Sequence, residues 1–177
     1  MRVISGKLGG RNFDSPGGHR THPMSEKARG AIFNALGELS GLTVLDAFAG
    51  SGALAIEAIS RGAKSAHAIE VDKEAYETIR ANIYALGIED RMIVMRKNIS
   101  GWSRNNVASK YDVVLVDPPY DDIRPDVIER LAVHVKPDGI LVLSWPGSEP
   151  IRDLKDLTPV SHKSYGDIQL VFYRRIA

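Results

Sequence analysis

The 177-residue chain contains no cysteine, which excludes a disulfide framework and any thiolate-ligated metal centre. It has no apolar run near the roughly 20 residues needed to span a bilayer, and Met1-Arg-Val-Ile-Ser-Gly-Lys7 lacks the continuous apolar segment of a secretory leader. Both absences predict a cytoplasmic protein with no membrane partner. No His/carboxylate grouping has metal-ligand spacing, so no metal is expected. Repeats, low-complexity tracts and linkers between folded units are missing too, and the length suits one α/β unit, expected to be a monomer.

What is present is unevenly distributed. Residues 1 to 29 carry six Lys/Arg against two acids, whereas the remainder has 17 against 20, so the positive charge sits at the front. That asymmetry fits an N-terminal contact with a polyanion, or simply a solvated polar arm. Two short β-like runs, Arg2-Val-Ile and Asn12-Phe, are separated by Gly6, Gly9 and Gly10 and predict a hairpin or an extended arm. Residues 14 to 24 are turn formers and predict a loop. We divide the chain into a basic arm, 1 to 24, and a main unit, 25 to 177.

Beyond Ser25, a plausible N-cap, apolar residues from Ala28 to Leu39 recur at helical spacing. From residue 42 strands and helices alternate: strand 42 to 47, helix to about Arg61, strand 65 to 70, helix 73 to 85, strand 91 to 96. An irregular stretch is expected over 99 to 110, then strand 111 to 117, helix 124 to 134 and strand 139 to 144. Strands 158 to 164 and 168 to 174, joined at Gly166-Asp167, complete the pattern as an antiparallel pair. This predicts an α/β, mostly parallel, doubly wound sheet with an antiparallel C-terminal hairpin.

Two strand ends carry the chemistry. Strand 42 to 47 runs into Ala49-Gly-Ser-Gly-Ala-Leu-Ala55, a G-x-G-x-x-A loop through which a backbone can approach a cofactor closely. Glu70, at the end of the next strand, can accept both ribose hydroxyl hydrogens. These features suit a dinucleotide or a nucleoside. Asp46 discriminates between them, because a carboxylate there repels a pyrophosphate but favours the ammonium and sulfonium of S-adenosylmethionine (SAM); bracing the loop is its alternative role. Val71 and Ile99 become candidate adenine walls, and Asn98 lies near the adenine edge.

The second strand ends in Asp117-Pro118-Pro119-Tyr120. Consecutive prolines remove two N–H donors and leave carbonyls and the Asp117 carboxylate as acceptors, so the site seeks a donor such as an exocyclic amine. Tyr120 can stack on the base that carries it. A rigid loop ended by a surface tyrosine is the plainer reading.

With these residues in place, the chain resembles the RsmD family of 16S ribosomal RNA guanine-N2 methyltransferases over nearly its whole length. The resemblance is carried by Arg2-Val-Ile-Ser-Gly-Lys7 with Gly10-Arg11, by His22-Pro-Met-Ser-Glu-Lys-Ala-Arg29 with Phe33-Asn34, by Leu45 to Leu54 with Glu57 to Ala63, by Asp117 to Tyr120, and by Tyr165-Gly-Asp. It implies a seven-stranded, Rossmann-like class I SAM-dependent methyltransferase fold, a cofactor site of Asp46, Phe48, Gly50, Gly52, Glu70, Val71, Asn98 and Ile99, and catalytic residues Asp117, Pro118, Pro119 and Tyr120. It further implies RNA contacts at Lys7, Arg11, Arg20 and Arg29. The implied substrate is guanine at conventional position 966 of 16S RNA, within a 30S subunit or an assembly intermediate. The chain departs from the family at His22-Pro23-Met24, commonly Arg-Pro-Thr, and at Gly30, commonly Glu. Alternatives are a DNA adenine-N6 methyltransferase, an NAD(P)-dependent oxidoreductase and a nonenzymatic RNA-binding domain.

Overall fold

A computed structural model describes residues 1–17 and 23–176, so Arg20 and His22 lie outside the described residues. Seven strands, β1 (Thr43–Asp46), β2 (Ser65–Glu70), β3 (Met92–Arg96), β4 (Tyr111–Val116), β5 (Val135–Pro146), β6 (Leu157–Tyr165) and β7 (Ile168–Arg175), form one sheet in the order β3-β2-β1-β4-β5-β7-β6. β1 to β5 are mutually parallel, and β7 runs antiparallel to both β5 and β6. The sheet alternates side chains between two packed layers. Val44, Val113, Leu115, Val142 and Phe172 face one core, whereas Leu45, Val114, Val116, Leu143 and Tyr173 face the other. Apolar residues at both parities explain why the strands read as continuous hydrophobic runs.

Helix α1 (Glu26–Leu36) precedes the sheet, and α2 (Ala53–Ser60), α3 (Lys73–Ala85), α4 (Ile99–Asn105) and α5 (Pro125–Leu131) connect its parallel strands. Ser25 caps α1 by accepting from the Ala28 N–H, and the helix stops three residues short of Leu39 because Gly37 (φ 75°) leaves the helical region. The expected helix over 124 to 134 tightens into a 3₁₀ turn at Ala132–His134. β5 is longer than expected, with a register shift against β4 between Tyr111 and Val113. The expected irregular stretch after residue 98 is corrected to α4. Its Ser, Gly and Asn content argues against a helix by propensity, but Asn98 caps it and tertiary contacts override the rest. Trp102 packs on His134 with ring centroids 4.9 Å apart, and Ser103 Oγ lies 2.8 Å from His134 Nε2.

The first 13 residues form a hairpin bridged at Arg2 and Asn12, and its Val3 and Phe13 join one of the two cores. It closes over α2, whose eight residues are all buried. A helix that is apolar around its circumference must be covered on every side; the sheet covers one side and the hairpin another. Glu57, the one charge within α2, is 1% exposed, and its carboxylate accepts from the N–H groups of Ile4 and Ser5 and from Arg61 Nε at 2.8 Å. Arg29 lies 3.8 Å from the same carboxylate and donates to the Arg2 carbonyl. Its expected RNA role is therefore corrected: at 1% exposure the guanidinium ties α1, α2 and the hairpin together and faces no solvent. Burial also lowers its pKa, opposed by the Glu57 charge.

Candidate active site

The strand order reverses direction of growth between β1 and β4, and ligands of open α/β sheets gather at the carboxyl ends of such a pair. Each strand around this point ends on a polar residue: Glu70 on β2, Asp46 on β1, Asp117 just past β4, and Ser144 near the end of β5. Along the sheet these occupy four successive strands. None of the three carboxylates is in an ion pair among the described residues.

The glycine loop is braced from both sides. The Gly50 N–H donates to Glu70 Oε2 at 2.6 Å, and the Asp72 N–H donates to Glu70 Oε1 at 2.9 Å. Gly52 is left-handed (φ 79°) and precedes α2 directly; a Cβ there would stand 3.1 Å from Ile79. Any other residue would meet both backbone strain and α3. Asp46 is fully buried, its Oδ2 accepting from the Ala55 N–H at 3.3 Å while Oδ1 has no protein partner. Loop bracing thus accounts for one of its oxygens. Burial, followed by repulsion from Asp117 and, more weakly, Glu70, pushes its pKa up to about 7, against the pull of the Ala55 N–H. A buried acceptor without a partner, beside two further carboxylates, fits a ligand that brings a donor and positive charge.

The remaining cofactor candidates flank this centre. Val71 follows β2 directly and is 60% exposed, Ile99 opens α4 and is buried, and Phe48 is half-buried against the second core. β2 and β3 pair through Glu70 and Arg96, so the residues just past both strands lie on one edge of the sheet. Asn98 is exposed, but its Oδ1 accepts from the Ser100 and Gly101 N–H groups. Only its NH₂ remains free for a ligand.

On the other side of the switch, Pro118 is buried and Pro119 exposed, and the chain turns back so that Tyr120 Oη lies 2.7 Å from Ser144 Oγ. Burial pushes Asp117 up to about 6, opposed by the neighbouring Ser144 hydroxyl. Burial likewise pushes Tyr120 up to about 12. Met24, Ile32, Leu54, Val142 and Ser144 line a narrow apolar crevice beside Asp117. The sequence reading gave none of these residues a role at the acceptor site. Ser144 alone had a legible signal, a polar residue closing an apolar strand, the same pattern that singled out Asp46 and Asp117.

Of the proposed RNA contacts, Lys7 and Arg11 are exposed on the hairpin, with Arg11 donating to the Ala85 carbonyl at 3.1 Å. Among the described residues no group of three or more His, Asp or Glu side chains could hold a metal ion, and no helix is long and apolar enough to cross a membrane.

Known proteins resemble the chain in sequence and in fold. The chain is 35% identical to Ribosomal RNA small subunit methyltransferase D of Buchnera aphidicola over 119 residues, 67% of this chain and 62% of that one. The solved structure of yhhF from Escherichia coli superposes with a TM-score of 0.87 at 25% identity, covering 100% of this chain and 98% of the other. An RNA methyltransferase from Salinibacter ruber, solved with S-adenosyl-L-homocysteine, shares the fold at a TM-score of 0.66 and 16% identity, covering 87% and 94% of the two chains. The fold is that of Rossmann-like methyltransferases. The family model described as conserved hypothetical protein 95 matches residues 1–174, and the chain belongs to that family, the RsmD family.

Proposed function

We propose that the protein transfers a methyl group from SAM to the exocyclic N2 amine of a guanine in 16S ribosomal RNA, in the cytoplasm, on a 30S subunit or an assembly intermediate. The observation that carries this reading is the row of carboxylates at Glu70, Asp46 and Asp117, none in an ion pair among the described residues, next to a proline pair that offers acceptors and no donors. SAM supplies a methyl group on a cationic sulfur. Asp46 Oδ1 serves the amino acid end, the Glu70 carboxylate the ribose, and Val71 and Ile99 the faces of the adenine, with the Asn98 NH₂ at its edge. Phe48, Gly50 and Gly52 shape the loop around it.

At the acceptor, Asp117 and the Pro118 carbonyl take the two amine hydrogens. This directs the nitrogen lone pair, otherwise delocalised into the ring, toward the methyl carbon. The N–C bond forms as the S–C bond breaks, and the sulfur keeps the electron pair. The positive charge that develops on nitrogen falls beside Asp117, which stabilises it, and the surplus proton then leaves to Asp117 or water. Pro119 fixes the turn and Tyr120 stacks on the base. Lys7 and Arg11 lie on the exposed hairpin surface as RNA contacts, and Arg20, outside the described residues, is a further RNA contact.

The test is transfer of labelled methyl from SAM to unmethylated 30S particles, naked 16S RNA and DNA, followed by identification of the modified nucleoside. N2-methylguanosine in 16S RNA is the expected product. N6-methyladenine in DNA would sink the guanine assignment, and tight NAD binding without transfer would sink the methyltransferase reading.

A further inference from the structure

Ser144 stands where β5 has otherwise placed Leu141, Val142 and Leu143, and it is 2% exposed. β4 and β5 are parallel and paired through Val116 and Leu143, so the next position along brings Asp117 beside Ser144. The same hydroxyl receives Tyr120, whose chain has turned back across the two prolines to place Oη 2.7 Å from Ser144 Oγ. Tyr120 is 40% exposed, so water could satisfy its phenol; the contact with a buried serine is a specific placement.

We infer that Ser144 is a positioning residue for methyl transfer, the middle member of a chain in which Tyr120 donates to Ser144 Oγ and Ser144 donates to the Asp117 carboxylate. This inference rests on the reading of Asp117 as the amine acceptor. Proton order follows from chemistry: an ionised carboxylate only accepts, a hydroxyl carries one hydrogen, and the phenol keeps its own at working pH, so donation runs toward Asp117. One carboxylate oxygen is thereby held and the other is left for the amine. The same chain tethers the hydroxyl end of Tyr120 and so sets the angle at which its ring meets a base. Asp46 on β1 faces Asp117 as a like charge, with Glu70 on β2 beyond it, while Met24, Ile32 and Leu54 present no charge to it. Ser144 is therefore the group that favours the ionised acceptor against its burial.

The test is carbon-13 NMR titration of the Asp117 carboxyl in the full chain, paired with pH profiles of transfer. Ser144→Ala should raise the Asp117 midpoint by about one pH unit, move the acid limb of kcat upward equally, and lower kcat roughly tenfold while leaving the affinity for S-adenosylhomocysteine unchanged. Ser144→Thr, which keeps the hydroxyl, should restore both profiles. Tyr120→Phe should raise the midpoint by less, because Ser144 keeps its hydrogen and loses only its polarising partner. Should Ser144→Ala fail to fold, Tyr120→Phe carries the test alone. A midpoint unmoved in a folded Ser144→Ala protein, or in Tyr120→Phe where that variant stands alone, overturns the inference. If the wild-type chain transfers no methyl to any nucleic acid but the NMR shifts appear, the chain of hydroxyls stands and the proposed reaction falls.

Discussion

The two sides of the switch point use polar strand ends in opposite ways. On the β1/β2 side the carboxylates are largely committed to the protein: Glu70 accepts from two backbone N–H groups and Asp46 from one. On the β4/β5 side the chain has removed backbone donors at Pro118 and Pro119, and the Ser144 hydroxyl stands beside Asp117. One side divides its acceptors between holding a loop still and the free Asp46 Oδ1; the other offers acceptors beside no backbone donors of its own. The contrast separates a binding platform from a reacting edge, and predicts that mutations on the two sides will fail differently.

The largest effect is expected at Asp117. Asp117→Ala should lower transfer about 10³-fold while S-adenosylhomocysteine affinity, measured by calorimetry, stays near wild type; retention of full turnover would erase the distinction between the two edges. On the platform side, Asp46→Asn should weaken SAM binding by about 10- to 100-fold, in line with the loss of a charge-assisted contact in a buried site. It should also change stability in a pH-dependent way. Because the folded-state value of Asp46, about 7, lies above its ordinary 3.8, the ligand-free folded chain holds an extra proton between those limits. Stability contributed by this group therefore falls as pH rises through that window and levels off above it. Denaturation midpoints of wild type and Asp46→Asn from pH 5 to 8 should converge at the acid end; a constant difference would place the charge elsewhere.

Glu70→Ala should weaken SAM binding about tenfold and raise hydrogen exchange at Gly50, the N–H it holds. Weakened binding with unchanged exchange would mean that the carboxylate serves only the ligand. The smallest effect belongs to the hairpin surface. Neutralising Lys7 and Arg11 together should reduce the slope of log affinity for RNA against log salt by roughly one to two, with SAM binding untouched. An unchanged slope would return those residues to ordinary solvated surface.

Much of this edge was readable beforehand because strand ends are local features. β-branched runs stopping at Asp46 and Asp117 announce where backbone direction changes, and the glycines and prolines that follow them have conformational consequences independent of the rest of the chain. Helix α4 was not readable, since its stability comes from Trp102 and Ser103 meeting His134, about thirty residues away. Arg29 misled for a related reason. A count of charges assigns every arginine to the surface, and the Glu57 charge and the Arg2 carbonyl, brought together by folding, make a buried guanidinium tolerable. Ser144 carried a weak local signal whose meaning depends on Tyr120 turning back onto it.

The docking of the first hairpin on α2 sets an order of events during synthesis. Ile4, Ser5, Lys7 and Leu8 find their partners at Glu57 and Ser60, and a side chain at Gly6 would stand 2.0 Å from the Ser60 carbonyl oxygen. Residues made first must wait for a helix made some fifty positions later, while closing a loop of that length costs about 3.5 kcal/mol. The leading segment and the cofactor loop then mature together: until residue 60 has left the ribosome, neither the front of the chain nor the helix beneath its glycine loop can reach its final environment.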